Sequence, residues 1–128
     1  MLFVGLNPST ADEPADDPTI RRCIGFARAW GFERLEMANL FAFRVAYPRD
    51  MRAAGDPVGP DNDRYLRELA AACQMTVAAW GANGAFRRRD VEVRSALPRL
   101  HYLRLTKAGY PGHPLRLPGR LRPTPWDR

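Results

Sequence analysis

Four short apolar runs, "LFVGL" (2–6), "RLEMANLF" (34–41), "MTVAAWG" (75–81) and "HYLRL" (101–105), are separated by segments whose apolar residues recur at helical spacing. This alternation constrains the fold more than any other feature. Runs of that length without polar alternation suit strands buried on both faces, and strand-helix alternation is the order of a parallel sheet with helices packed against it. Right-handed crossovers leave few arrangements. The simplest is a three-layer α/β/α fold with a four-stranded parallel sheet in the order 2-1-3-4.

The helices announce themselves by their ends. "DDPT" offers Asp17 as an N-cap with Pro18 in the first helical position. Cys23, Phe26, Ala27 and Trp30 then mark an apolar face, and Gly31 is a stop. A second helix runs from about Asp61 through Cys73, with "GPDND" as its start, and Gly84 to Leu97 reads as a third. Between the second strand and second helix lies the long stretch "AFRVAYPRDMRAAGDPVGP", a length of irregular chain that in a small domain usually serves function. Trp30 and Trp80 read as core and His101 as surface. Trp126 lies in a Pro-rich tail that either packs over the domain or meets a partner.

The 128 residues fit one domain, 1–128, able to bury roughly two-thirds of the surface its unfolded chain would expose. With 45% hydrophobic and 27% charged residues the chain has a globular composition. Its apolar runs are too short to cross a bilayer and no signal peptide opens it, so a cytoplasmic protein without membrane contact is expected. Cys23 and Cys73, each among apolar residues, read as buried thiols; two cysteines cannot build a zinc ribbon or a four-cysteine iron–sulfur cluster. No cofactor or metal is expected. There is no phosphate loop with its Lys, no Gly-x-Ser-x-Gly elbow and no dinucleotide fingerprint. Charge is uneven: residues 1–86 hold 9 Lys/Arg against 11 Asp/Glu, residues 87–128 hold 11 against 3. A basic C-terminal third suits a phosphate-bearing partner, and equally a solvated Arg-rich face.

In open parallel sheets ligands bind outside the carboxyl ends of the strands. Here "NPSTAD", "NLFAFR", "GANG" and "TKAGYPGHPLRLP" leave the four strands at that edge. Asn7-Pro8-Ser9 meets the needs of a plain turn as well as those of a site, and Asp16 and Asp17 read first as helix caps. Asn39, among apolar residues at a strand end, must be either tied to backbone or open to the cleft. His113, in a Gly/Pro-bounded loop at this edge, reads as functional.

The ordered motifs "GLNPS" (5–9), "ANLFAFR" (38–44), "VAAWGANGA" (77–85) and "GHPLRLP" (112–118) resemble those of the uracil-DNA glycosylase superfamily. Nearly the whole chain also resembles a bacterial family of uncharacterised domains with an Asn-Pro-Ser-Thr-Ala-Asp opening and a His-Pro-Leu close. The first resemblance implies a glycosylase-like fold and N-glycosidic hydrolysis in DNA or a nucleotide. It makes Asn7 the water-positioning residue, Asn39 the reader of a base edge and His113 the donor to the departing base. Pro8, Ser9, Thr10, Phe41, Arg44 and Gly81 would complete the substrate pocket, with Lys107, Leu115, Arg116 and Leu117 toward nucleic acid, the two leucines as wedges for base flipping. Asp12, from the opening of the second family, is a spare carboxylate for general-base or metal-binding work. The sequence departs from the glycosylase pattern in lacking an aromatic residue between the first motif and first helix, and in "HPL" for "HPS". A binding module for a nucleotide, modified base or nucleic acid, catalytically silent, is the alternative. That fold ordinarily has an N-terminal covering segment, and a bare sheet edge would favour a homo-oligomer.

Overall fold

A computed structural model describes residues 1–8, 17–42 and 55–126. Its order is β1 (Leu2–Gly5), α1 (Pro18–Ala29), β2 (Glu36–Asn39), α2 (Asn62–Ala72), β3 (Thr76–Ala78), a 3-10 helix (Ala82–Arg88), α3 (Arg89–Ala96), β4 (Leu100–Tyr102), a 3-10 turn (Pro114–Arg116) and β5 (Thr124–Pro125). The fold is mixed α/β.

Among the described residues the sheet has five strands in the order β2-β1-β3-β4-β5 and is mixed, which corrects the expectation of four parallel strands. β2, β1, β3 and β4 are parallel neighbours, and β5 adds to β4 in the antiparallel sense. Two residues, one of them a proline, carry no strand periodicity, so β5 had no local signal. Tertiary contacts hold it. Trp126 N–H donates to the Leu100 carbonyl at 2.8 Å, and its ring packs 6.0 Å from Trp80 and 5.9 Å from Tyr102, under the Arg94 guanidinium. The tail packs over the domain.

Helices cover both faces. Alternation along β1 sends Phe3 to one side and Leu2 and Val4 to the other. On the Phe3 side α1 lays down Cys23, Phe26 and Ala27, and Phe26 and Trp30 lie 6.3 and 6.1 Å from the Phe3 ring. On the opposite side Leu66 and Ala70 of α2 and Val93 of α3 close over Leu2, Val4, Ala38 and Ala78. Large side chains buried to this extent, such as Phe26, Leu66 and Val93, each contribute roughly 1.5–3 kcal/mol. α1 starts as its sequence demands: Asp17 Oδ1 accepts from Thr19 N–H at 2.8 Å and Ile20 N–H at 3.3 Å, Pro18 follows, and Gly31 at φ 83° ends it.

The expected continuous helix from Gly84 to Leu97 is broken. A kink separates the 3-10 segment from α3, with Phe86 extended and Arg87 and Arg88 both at φ 55°. The break seats Phe86 5.7 Å from Phe41 and carries Arg89 into the interior, where it is 1% exposed. Periodicity alone misreads this segment because a buried arginine occupies an apolar position.

Candidate functional site

The carboxyl edge is assembled by main-chain pairing carried past the strand ends. Gly5 stands opposite Asn39, then Leu40 N–H donates to Gly5 and Phe41 N–H to Leu6 at 2.9 and 3.0 Å. Asn7 therefore leaves β1 beside the end of β2. Beyond β4 the chain makes a small hairpin: Leu105 bridges Pro111, Thr106 N–H donates to Tyr110, and Tyr110 N–H returns to Thr106 Oγ1. Gly112 N–H then donates to Arg104, and Gly81 N–H donates to Pro111 at 2.9 Å. That pairing ties the end of β3 to the strand of chain that delivers His113.

His113 occupies the cap position of the Pro114–Arg116 turn. Its Nδ1 accepts from the Leu115 N–H at 3.2 Å. An accepting Nδ1 fixes the neutral tautomer in which Nε2 carries the proton. Partial burial, reinforced by Arg116 and opposed by Asp17, holds the ring below its ordinary 6.5, so it is uncharged at neutral pH. Asp17, 7% exposed at the start of α1, thus stands close enough to act on His113 electrostatically. Arg22 of the same helix donates to the Leu117 carbonyl and clamps the loop onto α1. Cys23 beside them is inert: burial, then Asp17, pushes its thiol up to about 12.

Asn39 is half-buried at the end of β2, and its side-chain amide makes no hydrogen bond among the described residues. Asn7 is likewise half-buried, its Nδ2 3.3 Å from the Pro8 carbonyl. Gly81 lies at the end of β3 in the left-handed region, φ 73°. The structure thus brings Asn7, Pro8, Asn39, Gly81 and His113 to one edge of the sheet. Phe41 points into the core, fully buried, and offers no face to a ligand. Lys107 is exposed at the hairpin tip, and Leu115 and Arg116 are exposed on the turn after His113. Leu117 differs from its expected wedge role: at 9% exposure it packs with Cys23 and Phe26, because Arg22 draws its carbonyl inward. Ser9, Thr10, Asp12 and Arg44 lie outside the described residues, as does most of the long loop after β2.

Behind this edge stand Asn62 and Asp63, which the sequence reading placed in a helix start, and Arg89, which it passed over. Asn62 Nδ2 donates to the carbonyls of Asn39 and Leu40 at 2.9 and 3.0 Å, Arg89 Nε donates to Leu40 at 2.7 Å, and Arg89 Nη1 lies 2.6 Å from Asp63. A signal existed for Arg89, which falls in line with Val93 and Leu97 at intervals of four on the apolar stripe of α3.

A cavity of about 440 Å³ opens at the opposite, amino end of the strands, lined by Met1, Phe32, Glu36, Leu69, Cys73 and Gln74 among others. Among the described residues no group of three or more His, Cys, Asp or Glu is arranged to hold a metal, and Cys23 and Cys73 are free thiols. No helix there is long and apolar enough to cross a membrane.

Residues 1–115 match the family model described as "Protein of unknown function (DUF1643)". No curated protein and no solved structure matches the chain. The glycosylase likeness thus rests on the four short motifs.

Proposed function

We propose that this chain, a member of the DUF1643 family, binds a nucleobase at the carboxyl edge of its sheet and hydrolyses the N-glycosidic bond that joins it to a sugar, in DNA or in a nucleotide. The observation that carries this reading is the state of His113: a neutral ring, oriented by the Leu115 N–H, with the proton on Nε2. A neutral donor can stabilise negative charge developing on a departing base without first protonating it. In the reaction the carbon–nitrogen bond breaks with its electron pair moving to the base, where a carbonyl oxygen accepts from His113 Nε2–H. Water adds to the sugar carbon and gives its proton to solvent. Asn7 orients that water; an amide is too weak a base to deprotonate it, so bond breaking runs ahead of attack. Asn39, whose amide acceptor and donor are unbonded among the described residues, pairs with the base edge.

One observation favours the silent binding module. Phe41 is fully buried against Phe86, so the second motif supplies no stacking surface to hold an extruded base. The two readings separate on a panel of single- and double-stranded oligonucleotides bearing uracil, hypoxanthine, xanthine or mismatched thymine. We expect release of one of these bases, lowered about 100-fold or more in His113→Ala and abolished in Asn39→Ala, with both variants folded. Salt-sensitive binding without release selects the binding module, and neither release nor binding refutes both.

A further inference from the structure

The end of β2 is anchored unlike its neighbours. β3 and the chain after β4 are tied there by main-chain pairs, Gly81 to Pro111 and Gly112 to Arg104. β2 has such pairs too, Leu40 to Gly5 and Phe41 to Leu6, and is tied in addition by side chains from two helices. Asn62, in the first turn of α2, spans the successive carbonyls of Asn39 and Leu40 with one amide nitrogen. Arg89, from the first turn of α3, adds a second bond to Leu40, and Asp63 holds the far side of the guanidinium. Arg89 is 1% exposed and its Nη2 has no hydrogen-bond partner among the described residues. Burying an arginine incompletely satisfied is costly, and an apolar side chain of similar volume would pack the same space without that cost. The arrangement therefore calls for a reason other than stability.

The other flank of Asn39 is shaped as closely. A Cβ on Gly5 would stand 2.9 Å from Asn39 Oδ1, so the bare glycine of β1 makes room for the amide. The Asn39 side chain, unbonded among the described residues, is boxed by Gly5 on one side while its main chain is gripped on the other. An amide that reads a base edge through two hydrogen bonds must be held to within about 10–20° of the pairing geometry, which a strand end in water does not provide.

We propose that Asn62, backed by Arg89 and Asp63, is the positioning residue that sets the Asn39 amide for base recognition; this rests on the nucleobase reading above. Asn62 touches no substrate and acts through the backbone of Asn39. Its loss alters discrimination between bases, and leaves the pH dependence contributed by His113 unchanged.

The test compares the whole chain with its Asn62→Ala, Asn62→Gln and Asp63→Asn variants. The side-chain amide signals of Asn39 are read by NMR, assigned through their loss in Asn39→Asp. Preference among the oligonucleotides of the panel is read by kcat/KM or, where turnover is absent, by Kd. In Asn62→Ala the Asn39 amide signals shift and broaden, and preference for the best base falls about tenfold, the loss of one hydrogen bond's worth of alignment. Asn62→Gln restores part of both, and Asp63→Asn, which keeps Asn62 in place, moves both in the same direction by less. Unmoved Asn39 signals in folded Asn62→Ala, or in Asp63→Asn should Asn62→Ala not fold, overturn the proposal whatever the activity. Shifted signals in a protein that neither binds nor cleaves any member of the panel overturn the nucleobase reading, and the recognition role of Asn62 falls with it.

Discussion

The two edges of the sheet differ in kind. At the amino edge the strands open on a cavity of about 440 Å³, where the Met1 amino group donates to the Arg34 carbonyl at 2.9 Å and Arg34 faces Glu36 at 4.0 Å. At the carboxyl edge Asn39 and His113 keep hydrogen-bonding atoms unspent among the described residues, while their backbones are pinned by Asn62, Arg89 and the Gly81–Pro111 pair. A hollow accepts whatever fits. Rigidly held, unsatisfied polar groups select, because their bonding capacity is recovered only by a ligand with the complementary pattern. These groups are what favours the carboxyl edge as the proposed site over the cavity opposite.

The largest effect that separates the edges is packing. Gly84 follows the end of β3, where an added Cβ would collide with the Trp80 ring and stand 2.9 Å from Leu40 Cδ1, both side chains being fully buried. Gly84→Ala is expected to cost about 3 kcal/mol in urea unfolding. Gly31 at the amino edge has open space around it and only its φ of 83° against it, so Gly31→Ala costs about 1–2 kcal/mol. Equal losses would break the contrast between a tight edge and an open one.

A smaller difference is read in pH. The folded state holds His113 below 6.5 while the unfolded chain keeps its ordinary value. The unfolded chain then binds more protons between those two values, so stability falls as pH drops below about 6.5 and levels off beneath the folded pKa. His113→Gln removes that slope. A wild-type curve that His113→Gln reproduces from pH 7.5 to 5 would mean that the ring is not buried at this edge.

The smallest effect is a difference in rate with no change in fold. Cys73 is partly exposed and lines the amino-edge cavity, whereas Cys23 is fully buried with its thiol pushed up to about 12. A thiol-specific disulfide reagent in native buffer should modify Cys73 and spare Cys23, as mass spectrometry of the peptides would show. Modified Cys73 should leave the activity proposed for the carboxyl edge intact; a loss would mean that the two edges communicate.

Much of the scaffold was legible because it is local. The unbroken apolar character of β1 and β3, the Asp17-Pro18 start of α1, the stop at Gly31 and the order of the parallel strands all follow from neighbours in sequence. The carboxyl-edge placement of Asn7, Asn39 and His113 follows from the same logic, since strand direction decides where each loop emerges. Sequence alone determined which loops meet. It could not determine which of their side chains remain free. Phe41 and Leu117 turn inward, and β5 forms where no period announces it. Arg89 is driven into the core by a kink whose residues otherwise suit a helix. In each case the decisive partner lies far along the chain: Phe86 for Phe41, Arg22 for Leu117, Leu100 for Trp126, and Leu40 with Asp63 for Arg89. Local propensity is worth tenths of a kcal/mol per residue and a buried contact several times more, so the tertiary structure decides wherever the two conflict.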